Sequence, residues 1–209
     1  MYQRNKSTQC LICNQDLNQS VDLFHLIYQP PICCECLHQF VICDYHGHFH
    51  HYPLTILYHY NDFFRQLLYQ YKGLGDIALK SVFLLPFVHD LKRHHRLVVV
   101  LPSSNQDNQK RGFAPNETIM KEAGFQIFNG LYKTSNYKQT KQKDRSQIKK
   151  VLKMKNGHLL KNKRVIIFDD VITSGHTLQA ALSLVEQYDP RSIEILILSS
   201  KQIPPQISK

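Results

Sequence analysis

Residues 165–177 read Val-Ile-Ile-Phe-Asp-Asp-Val-Ile-Thr-Ser-Gly-His-Thr. Four apolar residues run directly into two acids. A short loop of hydroxyls and one glycine then precedes a helix-forming stretch. An apolar run of this kind suits a parallel strand covered on both faces, and one is expected over residues 165–168. Open α/β sheets bind ligands at the carboxyl ends of such strands. Asp169 and Asp170 can accept hydrogen bonds from two vicinal ribose hydroxyls, directly or through magnesium. Thr173, Ser174, Gly175, His176 and Thr177 present backbone N–H groups at the start of a helix, which is where an anion is held. The stretch therefore reads as a strand ending in a site for a sugar phosphate.

Outward from it, strands and helices alternate. Residues 55–60 read as a strand, and Asp62–Lys72 as a helix with Phe63, Phe64, Leu67, Leu68 and Tyr71 on one stripe. A second helix is expected from Asp76 to about His89, shortened or kinked by Pro86. A strand over 96–101 stops at Pro102, and a helix over 116–123 ends at Gly124. Further strands are expected over 126–132 and 193–199, and a helix from about Gly175 to Tyr188. Residues 138–155 are polar and basic. Such alternation predicts an α/β fold with a mainly parallel sheet flanked by helices. The expected division is a small module over 1–52 and the main domain over 53–209.

The 209-residue chain is 43% apolar, which excludes wholesale disorder. Its formal charge of +10 is localised: twelve Lys or Arg and one acid, Asp144, lie between Lys133 and Arg164, for +11 in that segment alone. A cationic stretch points to an anionic ligand, a pyrophosphate, a nucleotide or a nucleic acid, or else to a solvated loop and helix face. Tyr132 and Tyr137 beside the lysines could stack bases. The first residues show no apolar signal segment, and no run approaches membrane-span length, so a cytoplasmic protein is expected.

All six cysteines lie in the first 43 residues. In a reducing compartment that clustering favours a metal over disulfides. Cys10-Leu-Ile-Cys13 and Cys33-Cys34-Glu-Cys36 supply two knuckles, and four thiolates complete a tetrahedral zinc site. Cys34 could replace Cys33 in it. Cys43 and His46 could be a variant of a second site, with His48, His50 and His51 following as polar sequence.

The 165–177 stretch resembles the phosphoribosyl-pyrophosphate (PRPP) motif of type I phosphoribosyltransferases: apolar residues, two acids, two further residues, then Thr-Thr/Ser-Gly-x-Thr. His176 stands in a slot more often small or apolar and is given no catalytic role. In that family a strand, a proline and then Arg-Gly-Phe-Asn precede a helix; here the order is Arg111-Gly112-Phe113-Ala114-Pro115-Asn116. The resemblance implies that Ser103 and Arg111 meet pyrophosphate, although Arg-Gly-Phe reads equally as a helix-entry turn with Phe113 in the core. Lys133-Thr134, Gln139 and Arg145 resemble the family's mobile catalytic loop, with Arg145 the candidate catalytic residue alongside Asp169 and Asp170.

Together with the cysteine module, these features resemble the ComF family (ComFC-like competence proteins), which joins a zinc ribbon to a type I phosphoribosyltransferase fold. The resemblance implies structural zinc on Cys10, Cys13, Cys33 and Cys36. It also implies PRPP or a related ribose 5-phosphate compound bound with magnesium, and a role in natural competence, the uptake and transformation of DNA. The alternative is a non-catalytic factor that binds single-stranded DNA or a competence helicase.

Overall fold

The computed structural model describes residues 8–17, 30–91, 96–134 and 151–201. A short helix, α1 (Cys34–His38), leads into a hairpin of β1 (Ile42–Phe49) and β2 (Tyr52–His59). Helix α2 (Asp62–Lys72) follows, then a 3-10 turn over Ile77–Ser81 and the four-residue α3 (Val88–Leu91). Strand β3 (Leu97–Val100) precedes α4 (Asn105–Arg111) and α5 (Pro115–Glu122). Then come β4 (Gln126–Ile127), β5 (Leu131–Lys133) and β6 (Leu152–Met154). Strand β7 (Arg164–Ile172), α6 (His176–Val185) and β8 (Ser192–Ser200) complete the fold.

Six strands form one sheet in the order β1-β2-β8-β7-β3-β4, while β5 and β6 pair separately. Only the β1/β2 hairpin is antiparallel in the large sheet; β2/β8, β8/β7, β7/β3 and β3/β4 are parallel. The mainly parallel α/β sheet expected from the alternation is present. From β3 the chain moves outward to β4, and from β7 it moves the other way to β8. The β3/β7 boundary is therefore the point where the winding reverses, and a crevice opens at the carboxyl ends there.

Each face of the sheet seats its own core. Ile166 and Phe168 of β7 join Tyr58, Phe64, Tyr71, Ile119 and Met120 on one side. Val165 and Ile167 join Val99, Ile195, Leu178 and Val185 on the other. Successive strand residues point to opposite faces, so an uninterrupted apolar run was required. Helix α2 forms where expected because Phe64, Leu67, Leu68 and Tyr71 recur at helical spacing and are all buried. Asn61 caps it, its Oδ1 accepting from Phe64 N at 2.8 Å. The Tyr71 hydroxyl, buried with its ring, donates to the Pro115 carbonyl at 2.9 Å and ties α2 to α5.

Several elements differ from expectation. Residues 76–89 do not form one helix. Val82, Phe83 and Leu84 are consecutive and all buried, whereas a surface helix would turn one of them outward. The Phe83 carbonyl accepts from the Tyr58 hydroxyl instead, and Pro86 lacks a donor. Residues 126–132 split at a turn over Asn129 and Gly130, so β4 extends the large sheet and β5 leaves it. β7 continues through both acids to Ile172 because β8 pairs with it out to Ser200. Helix α4, built from polar residues, and strand β1, built from Cys, His and Tyr, carry too little apolar periodicity to be read from sequence. β1 adds an edge strand from residues 42–49 to the large sheet. Cys10, Cys33, Cys36 and Phe40 share a core cluster with α2 and β7.

Candidate functional site

β3 ends where β7 does not. Val100 pairs with Phe168, and the Leu101 N–H still donates to the Phe168 carbonyl at 2.9 Å. Beyond that point β7 runs on alone on this side, so Asp169 and Asp170 sit at the step of the sheet. Asp170 continues the alternation of Ile166 and Phe168 and is only 9% exposed. Its carboxylate makes an ion pair with the Lys72 ammonium at the end of α2. Asp169 Oδ1 accepts from Asn116 Nδ2 at 2.9 Å and from the Asp170 N–H at 3.0 Å. Asn116 Nδ2 also donates to the Leu101 carbonyl at 3.2 Å. Both of those partners are oxygens, so the orientation of the amide is fixed, and its buried Oδ1 has no hydrogen-bond partner among the described residues.

The two acids have opposite electrostatics. Burial pushes Asp169 well above the usual carboxylate range, and the neighbouring Asp170 charge adds to that; Lys72 and Asn116 offset it only in part. Burial also acts to raise Asp170, but the Lys72 charge and its hydrogen bond outweigh it and hold Asp170 below its ordinary value. Lys133, at the end of β5, is lowered by burial, with Asp169 and Asp107 acting as attractive neighbours and Lys72 as a repulsive one. Lys72 escaped the sequence reading; Lys133 was read there as part of a loop and Asn116 only as the end of the Arg-Gly-Phe segment, neither as a neighbour of the acids. Lys72 lies 98 residues from Asp170, and only the helical stripe of α2 hinted that its last turn would reach the sheet.

The loop after the acids stays open. Thr173 and Ser174 are exposed, and His176 and Thr177 are half-buried. Gly175 has φ +71°, the left-handed region that glycine enters without strain, and α6 starts immediately after it. A Cβ at that position would lie 2.9 Å from a ring carbon of Phe49. The tip of the β1/β2 hairpin therefore packs against the loop's glycine and leaves its hydroxyls to solvent.

On the β3 side, Ser104 caps α4, its Oγ accepting from Asp107 N at 3.1 Å. Ser103 lines a cavity of about 230 Å³ together with Asn108, Asn116 and Asn129. Arg111 is the last residue of α4, and Gly112, at φ +82°, terminates that helix. Pro115 occupies the first turn of α5. Arg111 Nε donates to the Lys72 carbonyl at 2.6 Å, and Nη1 to Asn108 Oδ1 at 3.4 Å. Phe113 packs on Tyr71 with the rings tilted at 48° and their centroids 5.2 Å apart. Arg145, Gln139 and Tyr137 lie outside the described residues.

At the amino-terminal part of the chain, the sulfurs of Cys10, Cys13, Cys33 and Cys36 all lie within 4.8 Å of one another, so the four could hold a metal. Zinc–sulfur bonds of about 2.3 Å place tetrahedral sulfurs about 3.8 Å apart, and Cys13 and Cys33 are 3.7 Å apart. Backbone N–H groups point at the sulfurs: Cys33 N and Ile12 N donate to Cys10 Sγ at 3.3 and 3.5 Å, and Cys36 N to Cys33 Sγ at 3.5 Å. Burial acts to push the Cys10 thiol up, but these donors outweigh it and bring it to about 7. Burial raises Cys33 and Cys36; the sulfurs of Cys10 and Cys13 push both further up, while Cys36 offsets part of the shift at Cys33. A cation would relieve that upward push. The group takes Cys33 rather than Cys34, and among the described residues Cys43 and His46 belong to no cluster of three or more such side chains.

The opposite end of the sheet holds a cleft of about 710 Å³, lined in part by Arg96, Lys163, Arg164, Phe125 and Asn129. Arg96 Nη1 pairs with Glu194 at 3.3 Å. No helix among the described residues is long and apolar enough to cross a membrane.

Residues 109–205 match the phosphoribosyl transferase domain family. With the sheet order above, this defines the chain's class: a type I phosphoribosyltransferase-like fold carrying a small cysteine module. The competence protein ComFC of Streptococcus pneumoniae (strain ATCC BAA-255 / R6) is 27% identical over 143 residues, 66% of this chain and 64% of that protein. The competence protein ComFC of Bacillus subtilis (strain 168) is 28% identical over 149 residues, 68% of this chain and 62% of that protein. The chain thus spans a little under two-thirds of the length of each. Among solved structures, a hypoxanthine-guanine phosphoribosyltransferase of Bacillus anthracis is 16% identical, with a TM-score of 0.35 over 70% of this chain and 73% of that one. The ComFC likeness and the transferase domain match both agree with the ComF-family resemblance.

Proposed function

We propose that this chain binds PRPP or a related ribose 5-phosphate compound with magnesium, as a phosphoribosyltransferase-like protein of natural competence. The observation that carries the reading is the acid pair at the sheet step, immediately followed by an open, glycine-hinged loop at a helix start. Asp169 and Asp170 accept from the ribose hydroxyls. The N–H groups and hydroxyls of Thr173, Ser174, Gly175, His176 and Thr177 take the 5′-phosphate. Ser103 and Arg111 face the pyrophosphate, and Arg145 is the further candidate catalytic residue. Hard oxygen donors of this kind fit magnesium; on Asp169 and Asp170 it would neutralise charge on the diphosphate. The protein's own part is positioning and charge stabilisation as C1 takes on oxocarbenium character. On the four cysteines, zinc would brace the amino-terminal module. Calorimetry with PRPP, with and without magnesium, tests the reading: binding is expected in the wild type and absent in Asp169→Ala/Asp170→Ala. A wild type that gives no heat refutes it.

The basic cleft favours a second role, contact with single-stranded DNA in competence. Arg96, Lys163 and Arg164 offer charge, and Phe125 offers an aromatic face. DNA affinity is then expected to fall steeply with salt and to drop in Lys163→Ala/Arg164→Ala. Affinity unchanged in that variant excludes the cleft.

A further inference from the structure

Lys72 stands outside the strand-and-loop motif, yet it controls one of the motif's carboxylates. Its ammonium pairs with Asp170, and the two side chains are 24% and 12% exposed. Its backbone is held as well, because Arg111 Nε grips the Lys72 carbonyl at 2.6 Å. Lys133 lies close enough to feel the charges of both Asp169 and Lys72. The acid pair therefore already has two cations beside it, Lys72 on Asp170 and Lys133 near Asp169.

This arrangement decides what can displace what. Lys72 takes Oδ2 of Asp170, and a ribose hydroxyl that bonds to this oxygen competes with the ammonium for it. A neutral diol that took it would strand a half-buried ammonium, and an unpaired charge in such a place is costly. A ligand that brings its own negative charge beside the diol avoids that cost: the ammonium turns from Asp170 to the ligand's diphosphate, and Asp170 turns to the hydroxyl. We propose that Lys72 is a specificity-determining residue, which exchanges Asp170 for a diphosphate at C1 of the sugar and so disfavours a ribose 5-phosphate with a bare hydroxyl there. The proposal rests on the sugar-phosphate reading above and assigns its selectivity to one residue.

Calorimetry in magnesium buffer with PRPP and with ribose 5-phosphate tests it on wild type, Lys72→Gln and Lys72→Arg. Wild type is expected to favour PRPP by about a hundredfold or more. Lys72→Gln, which keeps a hydrogen bond to Asp170, is expected to weaken PRPP roughly ten- to hundredfold, the scale of one lost charge-assisted contact, and to leave ribose 5-phosphate unchanged or tighter. Lys72→Arg is expected to keep the preference. Equal weakening of both ligands in Lys72→Gln would show a mere structural brace and overturn the proposal, as would unaltered PRPP affinity. If Lys72→Gln does not fold, Asp170→Asn replaces it: both ligands weaken together and the margin between them persists, whereas a collapsed margin overturns the proposal. A wild type that binds both ligands equally ends the inference and leaves the sugar-phosphate site standing. A wild type that binds neither ends both.

Discussion

Replacing Gly175 with alanine adds one methyl group and incurs two separate costs. At φ +71° an L side chain in the left-handed region costs roughly 1–2 kcal/mol. The new Cβ also lies 2.9 Å from a Phe49 ring carbon, well inside the ~3.5–4.0 Å optimum for two carbons, and overpacking of that kind costs about 1–3 kcal/mol. The sum is about 2–5 kcal/mol. With a urea slope of about 2 kcal/mol/M, the unfolding midpoint falls by roughly 1–2.5 M. A Phe49→Ala background separates the two costs. There the clash disappears and the backbone cost remains, so the same substitution costs only about 1–2 kcal/mol. Urea unfolding of the four proteins of this cycle measures both. An equal cost in the two backgrounds would refute the packing of the hairpin tip on the loop. A cost near zero in both would refute the left-handed turn itself.

Three more outcomes are expected. Asp169→Asn removes a carboxyl whose folded-state pKa is raised. Such a group favours folding below its unfolded value, about 3.9, and loses that contribution as pH rises through the folded value. The asparagine variant is therefore more stable than wild type at pH 7, with the gain fading toward pH 4, as thermal unfolding across pH will show; a constant difference contradicts the raised pKa. Asn116→Ala takes the donor from Asp169 and the Leu101 carbonyl and is expected to cost about 1–3 kcal/mol, read as a lower urea midpoint. Metal analysis is expected to find about one zinc per chain, and removal by a strong chelator to lower the melting temperature, because the cysteines share a core cluster with α2; an unchanged melting temperature contradicts a bracing metal.

What was legible in the sequence was what local periodicity and motif spacing encode. The α2 stripe, the apolar run of β7 and the two cysteine knuckles each state their own geometry within a dozen residues. The Lys72–Asp170 pair and the Asn116–Asp169 bond join residues 98 and 53 apart, and no local pattern announces them. Arg111 shows the boundary between the two. The sequence placed it beside the site, but its grip on the Lys72 carbonyl depends on where α2 ends in space. β1 was missed for a different reason: as an edge strand it is stabilised by pairing with β2 rather than by a buried apolar face, so its Cys- and His-rich sequence shows no strand signal.

The place of β8 in the sheet has a consequence for biogenesis. It lies between β2 and β7, and its contact with β2 joins residues 141 apart, as in the Ser199–Tyr58 hydrogen bond. During translation at ~5–20 residues per second, the amino-terminal hairpin leaves the ribosome roughly 7–28 s before the strand that completes its pairing. Through that interval one flank of β2 is an unsatisfied edge open to other nascent chains. Closure of the sheet is a late event that waits for β8, and yield in a heterologous host is expected to depend on chaperone supply more than on the stability of the finished fold.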